Sequence, residues 1–288
     1  MRSPSFTILK IIFAIVFVVS SAVAASATSV AILSPDGSSL GQQLAEELAA
    51  GLNARGIKVT DPDMALAAYR SAAPDTPFNM TSDTAKRLGA VVGSDFVILI
   101  KPTLQRRNSS AKKNYFEAYA AMYVVSSRTG HLVDWRLWNA EDRDESKAAK
   151  SLVNSTSAFG SVLADRMEAA AHGEVAPPQV KPMEEPPDAD SPLAKNFKAP
   201  IPFRRIKPEY TAIAAFYEIA ATVEIVVDLD EKGQVLRTEI VRWAGFGLDE
   251  SAEKAVREMN WRPAERDGKF LPMRFLVRYN FKKIDKTN

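Results

Sequence analysis

The densest group of titratable side chains in the sequence is Glu141-Asp142-Arg143-Asp144-Glu145, a set of carboxylates of the kind that trade protons as acid and base. Five consecutive residues cannot converge on one point, and a solvated loop leading into a helix accounts for them. His131 follows a Thr129-Gly130 turn and His172 opens a proline-rich stretch. Neither has a carboxylate pair at ligand spacing, so both are expected to face solvent and no metal centre is expected. The absence of cysteine removes thiolate zinc sites, disulfides, a cysteine nucleophile and a lipid-modified cysteine anchor together. Gly245-Phe246-Gly247 lacks the third glycine and the strand-to-helix setting of a dinucleotide loop, and no phosphate loop or nucleophile elbow occurs. The sequence therefore reads as non-enzymatic, with no catalytic residue, cofactor or metal ligand.

Charge narrows the partners. The formal charge of +2 over 288 residues, with no strongly basic piece after residue 27, argues against nucleic acid. Arg106-Arg107 and Lys112-Lys113 flank Asn108-Ser109-Ser110 and mark an exposed hairpin tip, with a polyanion or membrane-surface contact as the lesser alternative for so small a patch. Asn79-Met80-Thr81 fits a glycosylation sequon of a kind that arises by chance.

The elements that would carry any function fall into four pieces. Residues 1–27 have Arg2 and Lys10 ahead of an apolar run from Ile11 to Val19 and then small residues, the pattern of a secretory signal peptide. Uncleaved, the same segment would anchor the chain in the inner membrane; cleaved, it delivers the chain to the periplasm. Residues 28–171 read as an α/β domain with a mixed sheet. Val30–Leu33 and Ile57–Val59 are short strands around a helix striped with Leu40, Leu44, Leu48 and Leu52. Helices from Asp63 and Ser82 come next, then Phe96–Ile100, continuously apolar as in a strand covered on both faces. A hairpin over Tyr115–Val125 and Leu132–Trp138 and one long helix over 146–171 close the domain.

Residues 172–202 hold eight of the 17 prolines and several acidic side chains, which predicts a semi-stiff linker separating two domains. In residues 203–288, a helix begins near Pro208, and Val223–Leu229 and Val235–Val241 alternate about a turn at Gly233. A helix from Leu248 with Asp249 as N-cap follows, and Met273–Phe281 alternates as a last strand. The fold class is α+β, ending in a three-stranded antiparallel sheet with helices on one face.

Pro208-x-Tyr210, the Gly233 turn between alternating strands, and Trp261-x-Pro263-Ala264 after the helix resemble the TonB C-terminal domain family over about residues 203–283. The sequence departs from the family pattern at Thr211, where proline is usual, at Ala221, where glycine is usual, and at Lys207, where a peptide-gripping glutamine is common. No histidine precedes His131, whereas energy-transducing members carry one in their anchor. Residues 28–171 more loosely resemble the amino-terminal domain of TolB and the envelope-assembly proteins around CsgG.

The resemblance implies a periplasmic binding protein, in a setting such as TonB-dependent transport and energy transduction. Its partners would be envelope proteins, such as an outer-membrane receptor peptide added as a strand. The residues it brings forward are Arg205, Lys207, Tyr210, Arg274, Phe275, Val277, Arg278 and Tyr279. Arg274 and Arg278 share a face and would either favour acidic peptide side chains or keep a bare edge soluble. A proline at Val277 is expected to remove an edge amide. The alternative is a structural or assembly protein whose terminal sheet pairs with a second copy.

Overall fold

The computed structural model describes residues 28–110, 112–174 and 182–282. The leader at 1–27 therefore lies outside the described residues, as do residues 175–181 of the proline-rich stretch.

The amino-terminal domain runs β1 (Ser29–Leu33), α1 (Ser39–Asn53), β2 (Lys58–Val59), α2 (Pro62–Ala72), α3 (Ser82–Val92), β3 (Phe96–Arg107), β4 (Tyr115–Ser126), β5 (Leu132–Asp142), α4 (Glu145–Thr156) and α5 (Phe159–Glu174). Its five strands lie in the order β2-β1-β3-β4-β5, parallel across β2, β1 and β3 and antiparallel from β3 to β5. Local signals place the helices. Ser38, Asp61, Thr81 and Asp144 each accept an amide of the following first turn, which satisfies donors that have no partner inside the helix. The single helix expected over 146–171 is two helices. The hydroxyls of Ser155 and Thr156 both donate back to the Leu152 carbonyl, at 2.7 and 3.1 Å, and this competition with the helical ladder accompanies the break.

One sheet face is buried under α1, α4 and α5 through Leu44, Leu48, Leu52, Leu152, Leu163 and Met167. The opposite face, with Leu33, Leu99, Tyr123 and Val125, is covered partly by α2 and α3 and partly by the carboxy-terminal domain. That second cover explains the unbroken apolar run of Phe96–Ile100.

The carboxy-terminal part runs β6 (Phe197–Lys198), β7 (Ile201–Pro202), α6 (Ala212–Phe216), β8 (Ala221–Leu229), β9 (Val235–Arg242), α7 (Leu248–Glu258), β10 (Trp261–Arg262), β11 (Ala264–Arg266), β12 (Lys269–Leu271) and β13 (Met273–Phe281). The main sheet is antiparallel in the order β13-β8-β9. Val223, Ile225, Val227 and Leu229 turn one face of β8 inward with Leu248, Ala252 and Val256 of α7. Gly233 tightens the β8–β9 turn at φ +81, and a Cβ there would lie 2.1 Å from the Trp261 carbonyl oxygen. The cap of α7 differs from expectation: the N-cap is Gly247, while the buried Asp249 carboxylate accepts the amides of Ala244 and Gly245, each at 2.8 Å.

The two domains are not held apart. One buried cluster passes from Leu99, Tyr123 and Val125 through Trp243 and Phe246 to Ile225 and Val256. The loop Trp243–Gly247 supplies the plug, with Gly245, Phe246 and Gly247 all at positive φ. The proline-rich stretch is also used structurally from residue 182 onward: β6 pairs with β11, and β7 with β10.

A candidate peptide-binding border

β13 is the outer strand of its sheet, so its far side presents backbone groups that β8 does not use. Alternation in an antiparallel pair fixes which groups these are. The Arg274 amide points away from β8, because it donates to the Glu184 carbonyl at 2.8 Å. Leu276, Arg278 and Asn280 share that phase and also point outward. Among the described residues, the bond to Glu184 is the only backbone bond on this border. Val277 has the opposite phase: its amide faces Ile225, so a proline there breaks the internal ladder rather than the outer border. The expectation for a Val277 proline is corrected accordingly.

Beside this border lies a groove of about 420 Å³. One wall is β13 from Phe275 to Tyr279, the other is Pro200–Pro202 with Arg205–Pro208, and Met259 and Trp261 also line it. The Trp261 ring meets the Phe275 ring edge-on at 5.1 Å, and its indole N–H donates to the Val256 carbonyl at 3.2 Å. Arg205, Lys207 and Arg278 give the groove three cations and its lining contains no carboxylate. Of the eight residues singled out from the sequence, Arg205, Lys207, Phe275, Val277, Arg278 and Tyr279 line the groove.

The other two sit elsewhere. Tyr210 serves the fold, its phenol donating to the carbonyls of Ala214 at 3.1 Å and Ile219 at 2.9 Å. Arg274 is fixed to Asp228 by two parallel bonds of 2.7 and 2.8 Å. Arg278 is likewise bound to Glu224 at 2.7 Å, with Arg242 on the second oxygen of the same carboxylate at 3.2 Å. Asp228 and Glu224 are 5% and 6% exposed, so the charges of both arginines are largely answered within the sheet. As groove residues, the sequence reading missed Pro200–Pro202, Ile206, Pro208, Met259, Trp261 and Leu276. Proximity of Trp261-x-Pro263 to the last strand was the available signal, whereas the wall at 200–202 depends on pairing that periodicity cannot show.

A second constellation joins the domains. Glu117 is 1% exposed and accepts from Arg107, from Asn139 at 2.9 Å and from the Tyr217 phenol at 3.0 Å. Burial opposes its ionisation, yet these donors hold the carboxyl below its usual range. The Arg107 guanidinium lies 4.5 Å from the Phe216 ring centroid, and Lys112 pairs with Glu141 at 2.9 Å, so the basic tip is largely engaged internally. His131 does not stand alone in solvent: it meets Glu239 at 3.1 Å across the domain boundary. The hydrogen bond from His131 is the main influence lowering the Glu239 pKa.

Residues 206–282 match the family model described as Gram-negative bacterial TonB protein C-terminal. A search of curated proteins found no match. Among solved structures, the chain is similar to the TonB carboxy-terminal domain of Pseudomonas aeruginosa, at 19% identity over 32% of this chain and 91% of that one, with TM-score 0.26. It is also similar to lipoprotein GNA1162 from Neisseria meningitidis, at 15% identity over 44% and 94%, with TM-score 0.32. A third is PelC, a dodecamer from Paraburkholderia phytofirmans, at 13% identity over 46% and 87%, with TM-score 0.27. No described helix is long and apolar enough to cross a membrane. On the family match and the order helix, hairpin, helix and final strand, residues 206–282 belong to the TonB C-terminal domain family.

Proposed function

We propose that this is an envelope protein of the periplasm whose carboxy-terminal domain captures an extended segment of a partner protein by strand addition along β13. The observation that carries the reading is the row of outward amides at Leu276, Arg278 and Asn280 facing an open groove. A strand laid there gains main-chain hydrogen bonds, and every second side chain enters the groove. Phe275, Val277 and Trp261 favour apolar side chains at those positions. Arg205 and Lys207 on the opposite wall favour acidic groups in the same segment. The family match supports a protein partner of the Gram-negative envelope, with an outer-membrane receptor peptide as the first candidate.

The amino-terminal domain acts in this reading as the platform that holds the border outward, since its sheet face is filled by the Trp243–Gly247 loop. The same border could instead pair with a second copy, and size-exclusion of the full chain separates these readings by showing a monomer or a dimer.

The test uses the exported chain with a photo-crosslinking residue at Asn280. A crosslinked envelope protein is expected, with at least tenfold less adduct in Leu276→Pro, which removes an outward amide at an edge where proline is tolerated. Undiminished crosslinking by a folded Leu276→Pro protein would refute strand addition.

A further inference from the structure

The outer border of β13 is engaged at one end by the chain itself, and the manner of that engagement suggests a purpose. We infer that the acidic proline-rich segment around Glu184 is a displaceable strap that competes with an incoming strand for β13; this rests on the strand-addition reading above.

Two contacts seat the strap. The Glu184 carbonyl accepts the Arg274 amide at 2.8 Å, the first outward donor of the strand. The Glu184 carboxylate pairs with Arg266 at 2.5 Å. Glu185 adds a further negative charge near Arg274, behind the larger influence of Asp228. Farther along, Lys198 bonds Glu265 at 2.7 Å and Asn196 bonds Asp267 at 3.0 Å, so the segment is fastened to the domain on the far side as well.

What the strap lacks matters equally. Pro182, Pro186 and Pro187 have no amide to donate, so this stretch cannot extend a ladder along β13. It engages Arg274 and leaves the outward amides of Leu276, Arg278 and Asn280 to another chain. Proline at a sheet edge blocks uncontrolled sheet growth. An incoming strand can therefore begin at Asn280 and run toward Arg274, where full pairing requires Glu184 to leave. A short segment that stops before Arg274 would not meet the strap, and a long one would. The strap thus adds a cost only for partners long enough to pair with Arg274.

The experiment uses the full exported chain and its Glu184→Lys/Glu185→Lys variant, which sets like charges against Arg266 and Arg274. Hydrogen exchange read by NMR is expected to show the Arg274 amide protected in the parent and at least tenfold less protected in the variant. The amides of Leu276, Arg278 and Asn280 should exchange fast in both. An Arg274 amide that exchanges as fast as that of Leu276 in the parent overturns the strap. Binding is then measured with a synthetic nonapeptide of alternating valine and glutamate and a pentapeptide of the same pattern. The nonapeptide should bind the variant at least fivefold more tightly than the parent, and the pentapeptide should not distinguish the two. Equal nonapeptide affinities overturn the strap and leave strand addition standing. Absence of binding to either protein, with the three outward amides unchanged in exchange, sinks strand addition and the strap with it.

Discussion

The side chain of Asn79 pairs with the backbone of Thr222 as though it were a neighbouring strand. Its amide nitrogen donates to the Thr222 carbonyl at 2.8 Å, and its oxygen accepts the Thr222 amide at 3.0 Å. The same nitrogen reaches the Trp243 carbonyl at 2.6 Å. One residue of the amino-terminal domain therefore caps the start of β8 and fixes the loop that follows β9, in a place where backbone groups would otherwise lose water without gaining a partner.

Asn79→Ala leaves those backbone groups half-buried and unpaired. The expected cost is about 1–3 kcal/mol, measured as a lower urea midpoint with an unchanged slope. Asn79→Asp should be at least as damaging, because a carboxylate has no hydrogen to offer the two carbonyls.

Gly245 sits at φ +72, and a Cβ there would lie 3.2 Å from Cε1 of Tyr123 and 3.4 Å from Cγ of Trp135. Gly245→Ala combines a left-handed backbone with a tight contact on the buried Tyr123 ring and the half-buried Trp135 ring. It is expected to destabilise by about 1–2 kcal/mol from the backbone alone, and thermal unfolding checks it.

Asp249 gives stability a pH dependence. Burial pushes its carboxyl from 3.8 up to about 7, against two backbone N–H donors and assisted by the charge of Glu250. A carboxyl whose pKa is raised by folding takes up a proton as the chain folds. Its contribution is therefore complete below pH 4 and is lost as pH rises to 7. The slope from this group approaches at most about 1.4 kcal/mol per pH unit. Asp249→Asn should remove that slope between pH 4 and 7, whatever its effect on absolute stability; an identical pH profile in the variant would count against the assignment.

The shared apolar layer makes the two domains one cooperative unit. Residues 28–174 alone would expose Leu99, Tyr123, Val125 and Trp135 on the uncovered sheet face. That fragment should bind a hydrophobic dye and melt roughly 10 °C or more below the full chain. The full chain should unfold in a single calorimetric transition; two separated transitions would contradict the coupling.

Much of the local structure was legible in the residues. The leucine stripe of α1 and the alternation of β8 and β13 are consequences of helical and strand periods, which depend only on neighbours in the chain. The long β3 was underestimated because its later residues, Lys101 to Arg107, alternate polar groups that pairing with β4 alone makes extended. Asn79, with the appearance of a sequon, and Gly245-Phe246-Gly247, with the appearance of a failed nucleotide loop, had no local feature that disclosed their use. Their partners are about 140 and 120 residues away.

The binding border divides along the same line. The sequence by itself determined that a final strand of alternating faces exists, and that Phe275, Val277 and Tyr279 share one side while Arg274 and Arg278 share the other, because side-chain direction in a strand has a period of two. Only the tertiary structure decided that this strand is outermost, which of its amides point away from β8, and that Glu184 reaches the first of them. Those outcomes depend on pairing between residues far apart in the chain, where the free energy comes from closing long loops and burying faces that no local pattern specifies.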